Sequence, residues 1–129
     1  MSDLKAYFES RKGWGVLATA DAEGRVNTAV YATPHVMDAG SVAFIMLGRK
    51  THDNLLQNPH ASYLYHEEGP GFSGKRFWLK KVREEEDTEL LHALRRRKSP
   101  HGEDEEKKPR FLVFFSVEKE LPLIGAGEA

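Results

Sequence analysis

Between Gly13 and Glu67 the chain alternates short apolar runs with connections of only a few residues, and this limits the folds open to it. "GVLATAD" passes through "AEGR" into "VNTAVYATPHVMD", and "AGS" then leads into "SVAFIML". A crossover between parallel strands needs a dozen or more residues, so these runs pair antiparallel. Gly24 supplies the positive φ that a tight hairpin loop requires. Pro34 interrupts the second run, and since proline cannot donate to a ladder, a bulge or a sheet edge is expected there. "SVAFIML" is almost uninterrupted in its apolarity, as suits a buried strand.

The rest of the chain continues the pattern. Leu4, Tyr7 and Phe8 have the spacing of a short amphipathic helix, with Ser2 as a candidate cap. A second short helix is expected from Thr51 to Asn58, with Thr51 as its cap and Pro59 ending it. "ASYLYHE" reads as the fourth strand and "KRFWLKKVRE" as a fifth with an exposed basic face. The glycine-rich stretch from Glu67 to Lys75 joins them. "DTELLHALRRRK" reads as a helix with Leu90, Leu91 and Leu94 in one stripe. "SPHGEDEEKKPR" reads as a polar loop, and "RFLVFFSVEKE" as the apolar last strand. Phe77, Trp78, Phe114 and Phe115 are expected in the core. The expected class is mainly β with small α, with about six strands that avoid exposed edges by closing into a small barrel. Periodicity alone fits a sandwich equally.

With 129 residues, the chain is expected to form a single domain over 1–129. The net charge of −1 gives no field for nucleic acid, and the basic "RRRK" is followed closely by "EDEE". Absence of cysteine excludes disulfides, iron–sulfur ligation and thiolate nucleophiles. The six histidines, His35, His52, His60, His66, His92 and His101, show no metal-ligand spacing, so no metal site is expected. The N-terminus lacks the features of a signal peptide, and no apolar run approaches the roughly 18 residues that span a bilayer. A cytoplasmic protein without a nucleic-acid or membrane partner is therefore expected.

Two stretches point to chemistry. In "LGRKTHDNLLQNP", Arg49 and Lys50 stand at the start of a helix, where the helix dipole already presents positive charge. Two cations there are mildly unfavourable unless something negative sits beside them. A helix N-terminus with free N–H groups, a hydroxyl at Thr51 and a guanidinium able to grip bidentately makes a phosphate site. The competing reading is a pair of solvated charges after a strand. In "RVNTAVYA", Asn27 and Thr28 are adjacent polar residues within a strand, so one faces inward and needs a partner.

From Gly13 to Glu120 the order "GVLATAD…GRVNTAVY…SVAFIML…GRKTHDNLLQNPHASYLY" resembles the flavin-binding split-barrel family that includes pyridoxamine 5'-phosphate oxidase. It is most similar to the small stand-alone FMN-binding proteins of that family, through "VNT", "KT", "GPG" and "LVFFSVEKEL". The resemblance implies a six-stranded antiparallel split barrel with short flanking helices, binding FMN at a homodimer interface. It places the phosphate at Arg49, Lys50 and Thr51, with Asn54 assisting. The flavin ring would lie along Asn27, Thr28, Ala29 and Val30, and the ribityl chain near Ile45, Met46 and Leu47. "GPGFSGKR" would approach the flavin from the other subunit.

The implied activity is that of an oxidoreductase or electron-transfer protein with a small-molecule redox substrate or electron donor. A flavin performs its own hydride and electron transfer, so no catalytic residue needs to be assigned. The same fold admits a deazaflavin or haem, or a flavin-binding module without turnover. The chain is shorter than the pyridoxamine 5'-phosphate oxidases and has no cationic residue after Lys119, where their Arg/His cluster would stand. Vitamin B6 oxidation is therefore not expected.

Overall fold

A computed structural model describes residues 3–98 and 109–125. Helix α1 (Leu4–Glu9) precedes strands β1 (Gly13–Ala20), β2 (Val26–Tyr31), β3 (His35–Asp38) and β4 (Ser41–Leu47). Helix α2 (Lys50–Gln57), strands β5 (His60–Glu67) and β6 (Gly74–Glu86), helix α3 (Glu89–Lys98) and strand β7 (Arg110–Pro122) follow. The strands form one antiparallel sheet in the order β2-β1-β5-β6-β7-β4-β3.

That order dictates the shape. The outermost strands β2 and β3 are consecutive in sequence and joined only by residues 32–34. In a flat sheet they would lie about 29 Å apart, at roughly 4.8 Å per strand. The four peptide steps from Tyr31 to His35 reach at most about 14 Å. The sheet therefore curls until its two edges approach, which makes a barrel with a split between β2 and β4. Pro34 marks the crossing. The expected long second strand is thus two strands on opposite edges, and the sheet has seven strands rather than six.

Alternation along the strands sorts the core. Leu17, Val42, Phe44, Met46, Tyr63, Tyr65, Phe77, Leu79, Val113, Phe115 and Val117 fill the barrel. Leu4, Tyr7 and Phe8 of α1 plug one end, with the Phe8 ring 5.2 Å from Tyr65 and 5.7 Å from Phe77. Asp3 caps this helix by accepting from the Ala6 N–H, while Ser2 lies outside the described residues. The alternate residues Ala43, Leu112 and Phe114 pack outside the barrel under Leu91 and Leu94 of α3. β4 is apolar throughout because both of its faces are covered. Thr88 caps α3 at Leu91 N, and Leu90 turns to the surface rather than joining the stripe.

Gly15 is required by packing. A Cβ there would lie 2.1 Å from the Tyr63 hydroxyl oxygen. Tyr63 in turn donates to the carbonyl oxygens of Tyr31 and Ala32, which ties the barrel interior to the crossing segment. Gly24 has φ +86°, as its hairpin position requires. Trp78 is half exposed on the outer face, with the Lys119 ammonium 5.2 Å from its ring, while Phe77, Phe114 and Phe115 are buried. The loop "SPHGEDEEKKPR" falls mostly outside the described residues, as does His101.

Candidate functional site

β3 pairs with Ser41, Val42 and Ala43 only, which leaves the edge of β4 from Phe44 to Leu47 without a strand beside it. β2 pairs through β1 alone, so its other edge is also open. Two rows of backbone N–H and C=O groups therefore face each other across the split. Elsewhere such edges recruit another strand; here they line a groove.

The groove has a volume of about 390 Å³. Asn27, Ala29, Val30 and Tyr31 line it from β2, and Ile45, Met46 and Leu47 from β4. Arg49, Lys50 and Thr51 close one end at the start of α2, and Arg110 joins from β7, where it pairs with Leu47. Nine of the residues singled out in the sequence thus meet here. Thr28 alternates outward and is exposed, so Asn27 is the inward member of that pair. Asn54 lies one turn into α2 but faces the barrel end, fully buried, where its amide donates to the Thr19 hydroxyl at 3.1 Å.

The helix start is built differently from its sequence signature. Arg49 occupies the cap position and makes no side-chain cap bond, and Thr51 is the second helical residue rather than the cap. The first α-helical bond runs from Asp53 N–H to the Arg49 carbonyl at 2.9 Å. The N–H groups of Lys50, Thr51 and His52 therefore precede the ladder. Thr51 is buried and hydrogen-bonds the Tyr31 hydroxyl. Burial pushes the Tyr31 phenol up, against the pull of Thr51 and Arg49, so it stays neutral at physiological pH.

The charge is one-sided. Arg49, Lys50 and Arg110 line the groove, and none of the described lining residues is a carboxylate. Arg110 is 8% exposed, and its backbone is fixed from both sides by Asp87. The Asp87 N–H donates to the Arg110 carbonyl, and the Asp87 carboxylate accepts from the Arg110 N–H at 3.3 Å. Arg110 and Tyr31 belong to the site although neither stands out in the sequence. Among the described residues no group of three His, Cys, Asp or Glu is placed to hold a metal ion.

Such a groove suits an elongated ligand with one strongly anionic end. The helix start and its cations would take the anion, and the open strand edges would take polar ring atoms. Its volume lies within the range of about 300–1,000 Å³ typical of small-molecule sites.

No protein-family model matches the sequence, and no curated protein sequence matches it. Solved structures do match the fold. An FMN-binding protein from Syntrophomonas wolfei subsp. wolfei superposes with a TM-score of 0.77 at 16% identity, covering 95% of this chain and 85% of that one. A pyridoxamine 5'-phosphate oxidase-like protein from Listeria innocua gives 0.69 at 18% identity, covering 93% and 94%. HutZ, the haem storage protein from Vibrio cholerae, gives 0.54 at 22% identity, covering 88% and 92%. The chain thus has the split-barrel fold of FMN-binding and pyridoxamine 5'-phosphate oxidase-like proteins.

Proposed function

We propose that the split of the barrel binds FMN and that the protein is an FMN-dependent oxidoreductase or electron-transfer protein. The observation that carries this reading is the groove itself. It ends at a helix start without a side-chain cap, carries three cations and contains no carboxylate among its described lining residues. The likeness in fold to an FMN-binding protein supports it.

In this reading Arg49 grips the phosphate bidentately, Lys50 adds a point charge, and the Thr51 N–H completes the cradle. Arg110 balances remaining negative charge from the groove wall. The open edge of β2 at Asn27, Ala29 and Val30 offers backbone groups to the polar ring edge, while Ile45, Met46 and Leu47 flank the connecting chain. A bound flavin supplies hydride or electron transfer to a small-molecule partner, so the chain's task is to hold and orient it.

A homodimer is part of the proposal. By the strand register, Trp14, Val26, Val30 and Trp78 share one outer sheet face. Val26 and Val30 are about three-quarters exposed and the two tryptophans half exposed. Val30 also lines the groove, so a second copy seated on this face would border the cofactor. Sedimentation is expected to give twice the chain mass of 14.6 kDa. No helix among the described residues is long and apolar enough to cross a membrane, and we place the protein in the cytoplasm, which cell fractionation would test.

The test of the site is the double variant Arg49→Ala, Lys50→Ala. Each charge-assisted contact is worth about 1.5–3 kcal/mol, so FMN affinity is expected to fall by at least a hundredfold while the melting temperature holds. Unchanged FMN affinity would reject the assignment. A Soret band or a deazaflavin spectrum in the purified protein would replace FMN with that cofactor.

A further inference from the structure

Helix α2 carries the anion seat, and polar links tie one side of it to the β1–β2 hairpin. Thr51, Asn54 and Gln57 follow one another at intervals of three residues, which puts them on one side of the helix. Thr51 hydrogen-bonds the Tyr31 hydroxyl at the end of β2. The Asn54 amide donates to the Thr19 hydroxyl of β1 at 3.1 Å, and Gln57 Oε1 accepts from the Ala22 N–H of the hairpin at 3.0 Å. Thr19 stands opposite Asn27 in the ladder, so the first two links end on or beside groove-lining residues of β2. From its other side α2 reaches β7, where the His52 ring stacks on Phe111 with centroids 3.8 Å apart. Phe111 in turn pairs with Met46 of the opposite groove wall.

Among the described residues no ladder crosses the split, so the seating of α2 sets the offset between the anion seat and the open edge of β2. Apolar contacts are non-directional and let a helix slide, whereas a hydrogen bond holds one distance and one angle. Asn54 is the telling residue. It is fully buried, and its carbonyl oxygen has no hydrogen-bond partner among the described residues. A buried, half-satisfied amide is costly, where a leucine would pack without that penalty. What the amide adds is register. Neither Asn54 nor Gln57 lines the groove, so their effect on a ligand passes through the position of α2.

We propose that Asn54 and Gln57 are positioning residues that set the distance between two seats of the groove: the anion seat at the start of α2 and the ring seat along β2. The proposal rests on the reading that the groove takes FMN, and it names what selects the ligand's length. A ligand spanning both seats gains from each only if its phosphate and ring are the matching distance apart. Riboflavin and inorganic phosphate lack that constraint, because neither engages both seats.

Affinities for FMN, riboflavin and inorganic phosphate, the last followed at the Thr51 amide by NMR, test this in two variants beside the parent. Thr19→Val with Asn54→Leu replaces both buried partners by apolar groups of similar shape, which keeps the packing and the melting temperature. Gln57→Ala removes the exposed link, and it decides alone if the buried pair fails to fold. The buried pair is expected to weaken FMN about tenfold and Gln57→Ala about threefold, with riboflavin and phosphate unchanged in both. FMN affinity that stays at the parent's value in a folded variant overturns the proposal. A matching loss of riboflavin or phosphate affinity overturns it too, since that marks damage to one seat rather than a changed distance. A parent that binds FMN no more tightly than riboflavin rejects the flavin reading, and the proposal with it.

Discussion

At the scale of single residues, the groove depends on side chains with one acceptable size. Gly15 faces the Tyr63 hydroxyl so closely that Gly15→Ala forces the ring to move. Overpacking of this kind costs about 1–3 kcal/mol, which denaturant titration would register. Tyr63 also holds the crossing segment through two carbonyls, so the cost of displacing it reaches the groove wall. The cations at the helix start were legible because they contradict the helix dipole, and a contradiction in sequence asks for a ligand. Arg110 was not legible: an arginine opening an apolar strand looks ordinary until the register with Leu47 brings it into the groove. Tyr31 was hidden likewise, as one aromatic in an alternating strand. For Asn54 the position along α2 was legible while its face was not: the helix turns its amide toward Thr19.

At the scale of elements, strand existence was readable and strand placement was not. "SVAFIML" announces burial on both faces, and both faces are covered, by the barrel interior and by α3. Pro34 announced a break, but only the sheet order shows that the chain there passes from one edge of the sheet to the other. Thr51 was read as a cap because threonine is a common one; the cap falls two residues earlier, at Arg49, which leaves the Thr51 hydroxyl to Tyr31. Helix α1 has six residues, too few to persist alone, so packing against Tyr65 and Phe77 holds it. Phe8→Ala is expected to cost about 3–5 kcal/mol. Because α1 contributes no residue to the groove lining, ligand affinity in that variant should match the parent at temperatures where it is folded. A parallel loss of affinity would mean that the plug and the groove are coupled.

At the scale of the molecule, ionisation bounds stability from both sides. Glu67 is held below the ordinary carboxylate range chiefly by the Tyr7 hydroxyl, and Asp21 chiefly by the Arg25 backbone N–H. Glu84 is lowered despite burial, by Lys81 and His52. Groups with depressed folded values stabilise above the unfolded range of roughly 4 and lose that contribution as pH falls through the folded values. Tyr7, Tyr31, Tyr63 and Tyr65 are pushed up, in each case chiefly by burial. Their contribution is complete below about 10 and is lost as pH climbs through the raised values. Melting temperature against pH should therefore show a plateau from about 5 to 10 with a fall on either side. A maximum confined to one end would contradict this assignment of charges.

The central claim is that the split of the barrel recognises a phosphorylated flavin, and a parallel fluorescence titration of the purified protein with FMN and with riboflavin tests it most directly. Two charge-assisted phosphate contacts of roughly 1.5 kcal/mol each predict quenched FMN fluorescence and an affinity at least a hundredfold above that for riboflavin. Equal affinities, or indifference to both flavins, would contradict it.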